Sequence, residues 1–412
     1  MPELLSPAGN LDKLKTAVRY GADAVYFSGK SFGMRAAAGN FDLSELREGI
    51  EYAHAHGVKA YITVNISPRT QEYAALTEYL SALAAFAPDA LIIGDLGVLS
   101  VARRIVPEIP IHISTQANVT SAETAMAYAA LGAERIVLSR ELSLDEIKAI
   151  RRALPDTVEL ECFVHGAMCV SYSGRCLLSN YLAARDAGHG ACTQPCRWHY
   201  RAERIDAELI EEKRPDEPIP VYEEGGETFF MSSRDLCMIE HIPALIDAGI
   251  ASFKIEGRMK SAYYTAVVTN AYRMAIDACL AGNVTPMPEW LAEVESVSHR
   301  DYDTGFFFDL PTEHAKITER DGYLREKAYL ARVISYDEKN GVALFEQRNK
   351  ISVGDTVEIL VPGHPGIRFV AAALADEEGN TIDSAPHPRM RFLMPVPVAV
   401  SEGDLLRGGE KI

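Results

Sequence analysis

The sequence predicts a (β/α)8 barrel with a cysteine-containing insertion after its seventh strand, followed by a small C-terminal β-barrel domain. Three observations carry this. Short apolar runs alternate with helical stretches eight times between Glu3 and Glu256. That alternation breaks once, between the seventh run and the eighth, where a structureless loop of such length would be improbable in a compact domain. From about Tyr323 onward the pattern changes to strand-like alternation punctuated by turns.

The eight predicted strands lie near Glu3–Ser6, Ala24–Ser28, Lys59–Asn65, Ala90–Gly94, Ile111–Ser114, Arg135–Ser139, Glu159–Val164 and Ser252–Glu256. Short apolar runs rich in β-branched residues suit parallel strands buried on both faces. Several follow a glycine at a helix end, as Gly21 precedes Ala24–Phe27 and Gly132 precedes Arg135–Leu138. Glycine fits the left-handed position just past a helix. Leu43–His56 and Ser143–Leu154 show helical periodicity between strands, and Ser261–Gly282 and Glu289–His299 read as helices after the eighth. Eight strands alternating with helices suggest the barrel. An open doubly wound sheet is the alternative, but Ser6-Pro7-Ala8-Gly9-Asn10 is a turn rather than a Gly-rich phosphate loop. The expected domains are a barrel over 1–285 with its insertion at 165–250, a helical linker over 286–322, and the β-barrel domain over 323–412.

Apolar residues make up 48% of the 412 and charged residues 24%, the balance of an ordinary globular protein. No run reaches the ~18–20 apolar residues that cross a bilayer. Met-Pro-Glu-Leu-Leu at the N-terminus lacks the basic start of a secretory signal, so a cytoplasmic protein without membrane partners is expected. A net charge of −17 argues against broad coating of nucleic acid but leaves room for a local basic patch.

Six of the seven cysteines, Cys162, Cys169, Cys176, Cys192, Cys196 and Cys237, fall in one stretch. In a large chain without a signal peptide this favours metal or redox chemistry over a disulfide scaffold. Structural zinc prefers paired C-x2–4-C knuckles, and one pair here fits. Iron–sulfur sites accept less regular spacing. Spacing alone leaves iron–sulfur, zinc and plain buried cysteines open. Cys162, within a strand, and Cys279, within an amphipathic helix, read as core.

In this fold the loops after the strands form the working face. Polar residues at strand ends are therefore candidate functional groups: Asn65, Asp95, Gln116, Glu141, His165, Lys254, Glu256 and Arg258. Lys254 and Glu256 alternate on one face and could both reach the barrel mouth. His165 could move a proton there or orient the cysteine loop. Arg197-Trp198-His199-Tyr200-Arg201 mixes cations with aromatics, which suits phosphates and an unstacked base, although acid-rich Asp206–Glu217 follows it.

Glu161–Cys169, Ser173–Ser179, Cys192-Thr193-Gln194-Pro195-Cys196-Arg197-Trp198, Ser233–Cys237 and Phe253–Ser261 together resemble the signature of the collagenase-like peptidase family U32, over almost the whole chain. Within that family the chain looks most like bacterial proteins of prephenate-dependent tRNA hydroxylation. The resemblance implies a 4Fe–4S cluster, tRNA as partner, prephenate as co-substrate, and conversion of a wobble uridine to 5-hydroxyuridine. The implied metal ligands are Cys169, Cys176, Cys192 and Cys237, with Cys196 the alternative for the fourth place. Read from strand-end position and charge rather than from the resemblance, the candidate catalytic set is His165, Lys254, Glu256 and Arg258, and the candidate substrate-binding set Arg35, Asn65, Gln116, Arg197 and Trp198. A dianion such as prephenate needs an arginine fork, for which Arg35 and Arg258 are candidates. Two rival readings stand beside this one. A peptidase would lack H-E-x-x-H and G-x-S-x-G but could pair Cys169 with His165 in space. A non-catalytic cluster-bearing subunit would act with a paralogous family member.

Overall fold

The computed structural model describes residues 1–35, 38–198, 222–224, 227–229, 233–283, 285, 288–308, 324 and 327–408. Eight parallel strands close into a barrel: β1 (Glu3–Pro7), β2 (Ala24–Phe27), β3 (Lys59–Val64), β4 (Ala90–Ile93), β5 (Ile111–Ile113), β6 (Arg135–Val137), β7 (Glu159–Ala167) and β8 (Ser252–Ile255). Closure comes from β8, which pairs in parallel with both β7 and β1.

Local chemistry sets the helix boundaries between strands. Asp42 and Ser143 each form a capping box with a glutamate three residues on, Glu45 and Glu146, starting helices Leu43–Ala55 and Leu144–Ala153. Asp95 accepts from the amides of Gly97 and Val98 at the start of Leu96–Ile105, and Ser261 caps Ala262–Leu280. At the far ends, Gly21 and Gly132 take φ of +94° and +90°, the conformation that side chains resist.

The barrel interior is part apolar and part ionic. Leu5, Tyr26, Tyr61 and Ile92 pack there. Beside them Arg135 binds Glu3 at 2.6 Å and Glu161 at 3.2 Å, and Lys254 binds Glu161 at 2.8 Å. Glu161 is wholly buried, so both cations are needed to offset the loss of its hydration.

Between β7 and β8 the chain leaves the barrel and returns. A short strand, Asp235–Cys237, runs antiparallel to the end of β7, pairing Cys237 with His165 and Asp235 with Ala167, and itself pairs with Tyr302–Asp303. After β8 come helices Ala262–Leu280 and Pro288–Glu295. The C-terminal domain is a curled antiparallel sheet of eight strands around Phe345, Phe392, Val357 and Leu406. It is fastened to the barrel by buried Arg407, which binds Glu293 of helix Pro288–Glu295 at 2.6 Å as well as Glu358 at 2.8 Å. Arg19–Asp404 at 2.6 Å and stacked Tyr263 and Tyr329 extend that contact. Among the described residues, no helix is long and apolar enough to cross a membrane.

Candidate functional site

The C-terminal ends of the strands open into a narrow recess of about 50 Å³. Glu256, just past β8, faces it and is surrounded by cations. Burial raises the pKa of its carboxyl, but Arg35, then Arg140, Arg258 and Lys254, outweigh that and hold it below the ordinary glutamate value. Arg35 lies 3.7 Å from it. Arg258 is buried, donates to Thr63 Oγ1 at 3.0 Å, and is pressed down to about 10 by that burial. Lys254 forms the recess floor, its ammonium held by Glu161 and seated 4.4 Å from the centre of the Tyr26 ring. Glycine makes part of this assembly possible: at Gly166, with φ +106°, a Cβ would stand 2.5 Å from the Glu256 carbonyl oxygen.

Arg35 and Glu256 also line a larger outer cavity of about 580 Å³. Its walls include Cys169, Cys176, Cys192 and Cys196, together with Arg197, Lys260 and Tyr264. Burial raises the Cys196 thiol, and the charges of Cys169, Cys192 and Cys176 raise it further against the pull of Arg197. Cys169 is exposed on the cavity side; the protein around it displaces water and raises the pKa, but Arg140, Arg35 and Arg197 together bring it below the ordinary thiol value. Lys260 is lowered to about 8, chiefly by burial, and donates to Ser298 O at 2.9 Å. Four thiols on the wall of one cavity, with arginines beside them, are a donor set that fits a group bound through several thiolates. Among the described residues, no group of three or more His, Cys, Asp or Glu is placed to hold a single metal ion.

Cys237, expected as the fourth ligand, stands elsewhere. It is buried opposite His165 and packs against Tyr272, and burial pushes its thiol up to about 12. Directly opposed residues of an antiparallel pair share a face, and this face looks into the helix layer rather than the cavity. The same geometry corrects His165. Its Nδ1 lies 3.4 Å from the Tyr272 hydroxyl and its Nε2 3.3 Å from that of Tyr302, and burial lowers its pKa to about 3. It is a neutral, enclosed imidazole off the recess, and the proton-moving role expected of it does not fit.

Asn65 and Gln116 do line the recess, though Asn65 is partly committed, accepting from the Met34 amide at 3.0 Å. Arg197 reaches inward to donate to Met168 O at 2.9 Å, and Trp198 is exposed with its indole N–H on Thr193 O. His199, Tyr200, Arg201 and the acid-rich 206–217 lie outside the described residues. Asp95 is a helix cap, and Glu141 accepts from the Ser173 amide and so braces the cysteine loop. Sequence reasoning missed Arg140, although it directly follows the sixth predicted strand. Its guanidinium donates to Ala167 O at 2.8 Å beside Cys169. Tyr329 and Asn349, which bring the C-terminal domain to the cavity wall, had no sequence signal, because domain docking alone places them there.

A barrel whose working face carries a thiol-walled cavity above a cationic recess defines the class: a (β/α)8 protein with its candidate site at the C-terminal ends of the strands. The chain belongs to peptidase family U32. The model of that family matches residues 9–316, and that of the peptidase family U32 C-terminal domain matches residues 325–407. The chain is 38% identical to tRNA hydroxylation protein P1 of Bacillus subtilis, over 99% of this chain and 95% of that protein. It is 36% identical to tRNA hydroxylation protein P of Escherichia coli, over 96% and 94%. It is also 31% identical to a protein named Collagenase from Porphyromonas gingivalis, over 98% and 97%.

Proposed function

We propose that this protein is a tRNA-modifying enzyme, hydroxylating the wobble uridine to 5-hydroxyuridine with prephenate as co-substrate and a 4Fe–4S cluster held by Cys169, Cys176, Cys192 and Cys196. The observation that carries the reading is the meeting of those four cysteines and the Arg35–Glu256 recess in one cavity. Near full-length similarity to two proteins named for tRNA hydroxylation supports the substrate. Cys196 takes the fourth place in this reading because it lines the cavity and Cys237 does not. When bound, the cluster would supply electron-transfer or Lewis-acid chemistry. Arg35 and Arg258 would fork the carboxylates of a dianion, and Glu256, kept ionised by its arginines, is the group at the mouth able to accept a proton. A cysteine peptidase needs a base beside Cys169, and enclosed His165 does not supply one.

Deleting the gene and measuring tRNA nucleosides by mass spectrometry tests the activity. Loss of 5-hydroxyuridine derivatives is expected; unchanged levels in a strain without a redundant paralogue would sink it. For the cluster, anaerobically purified Cys237→Ala should keep the visible absorbance of the parent and Cys196→Ala should lose most of it. A colourless parent that holds stoichiometric zinc after anaerobic reconstitution would overturn the iron assignment. A brown parent, inactive until a paralogue is added, would instead indicate the subunit role.

A further inference from the structure

The segment that walls the outer cavity also has an unusual outer surface. Val170, Tyr172, Leu177, Tyr181, Leu182 and Trp198 are all exposed, Tyr181 at 82% and Tyr172 at 57%. Isolated apolar residues are ordinary on a surface, but a concentration of them marks a contact site. Two observations say what covers this one. The first is charge. In a chain of net −17, residues 168–198 hold Arg175, Arg185 and Arg197 against Asp186 alone. Asp186 is already engaged by Arg69 and His189, each at 3.1 Å. Arg175 and Arg185 are exposed and form no ion pair among the described residues. The second is continuity with the cavity. Val170, Leu178 and Pro195 line it, Met259 adds an exposed apolar side chain at the same lining, and the short helix Leu178–Ala183 packs on the turn Pro195–Arg197. Leu178 and Tyr181 are three residues apart on that helix, and so neighbours on one face.

Exposed tyrosines and a tryptophan interleaved with unpaired guanidiniums match unpaired nucleotides. Bases stack on the rings while arginines meet phosphates, and such contacts tolerate sequence. A base acted on inside a closed cavity must leave its stack, which leaves its neighbours unstacked as well. We propose that Val170–Trp198 forms a stacking collar, with Tyr172 and Tyr181 as platforms, for the unpaired nucleotides that flank the target in a single-stranded RNA loop. This rests on the tRNA reading above and adds which exposed residues hold the nucleotides beside the target.

The test uses the full, cluster-loaded chain at one fixed salt concentration. Tyr172→Ala/Tyr181→Ala should weaken tRNA binding about tenfold or more, in line with a lost stacking contact. The visible spectrum and melting temperature should stay as in the parent. Tyr172→Phe/Tyr181→Phe should retain most of the affinity, and a fully paired RNA duplex should compete poorly. In a deletion strain the parent gene should restore hydroxylated tRNA and the double alanine variant should restore much less. If the alanine variant binds and restores like the parent, the collar is wrong and the tRNA reading stands. If the alanine variant keeps tRNA affinity but loses self-association in sedimentation, the patch is a protein interface and the collar is again wrong. If the parent neither binds tRNA nor restores hydroxylation, the tRNA reading has failed and the collar falls with it.

Discussion

His165 shows how one residue changes meaning with its surroundings. As a polar residue at a strand end it reads equally as a proton carrier or as a brace for the cysteine loop. In the fold it is 1% exposed and ringed by Tyr264, Tyr272 and Tyr302. Burial sets its pKa near 3, below the value of about 6.5 expected in the unfolded chain. The unfolded state therefore binds a proton between those values while the native state does not, so this contribution to stability is complete above about 6.5 and is lost as pH falls toward 3. We predict that the stability advantage of the parent over His165→Gln shrinks by up to about 1.4 kcal/mol per pH unit across pH 6 to 4, measured by urea denaturation. A pH-independent difference would contradict this. Lys254 carries a parallel lesson. Alternation correctly puts it inward, but its ammonium is committed to Glu161 beneath the recess. Lys254→Met should cost about 3–5 kcal/mol of unfolding free energy by stranding part of a buried charge network, and a calorimetric loss under 1 kcal/mol would show the network to be adaptable.

At the scale of elements, the local signals were largely sufficient. The capping box of Ser143 and Glu146 is visible as Ser-x-x-Glu, and the helix it opens runs within a residue of its expected bounds. Ser143→Ala should lower stability by about 1 kcal/mol, readable as a small drop in melting temperature with activity unchanged. Strand β7 is the exception. Its apolar run predicts an end at Val164, yet it continues to Ala167 because Asp235–Cys237 pairs with its last residues. A partner some seventy positions away in sequence supplies those hydrogen bonds, and no local pattern announces it. That pairing turns both His165 and Cys237 away from the cavity.

At the scale of the molecule, the C-terminal sheet is part of the site as well as an attached domain. Its Tyr329 and Asn349 complete the cavity wall. Arg407 fixes that arrangement, buried at the junction and bound to Glu293, Glu358 and Ser296. Arg407→Ala leaves two buried carboxylates without their shared partner and should cost about 3–5 kcal/mol. It should also separate the unfolding of barrel and C-terminal domain into two calorimetric steps. A single transition at the parent's temperature would show that apolar contacts alone hold the domains together.

The sequence by itself determined the eight barrel strands, the helices between them, the departure of the chain between the seventh strand and the eighth, and the cysteine-rich stretch that belongs to the working face. These are legible because period, caps and glycine stops act over a few neighbouring residues. Only the tertiary structure decided which cysteines share a cavity, that Arg140 stands beside Cys169, that His165 is sealed among tyrosines, and that Tyr329 and Asn349 reach the site. Each of those depends on which distant segments meet, through strand pairing, buried charge and domain docking. A short motif carries the chemistry of its residues, but the face on which that chemistry is presented is fixed by partners far along the chain.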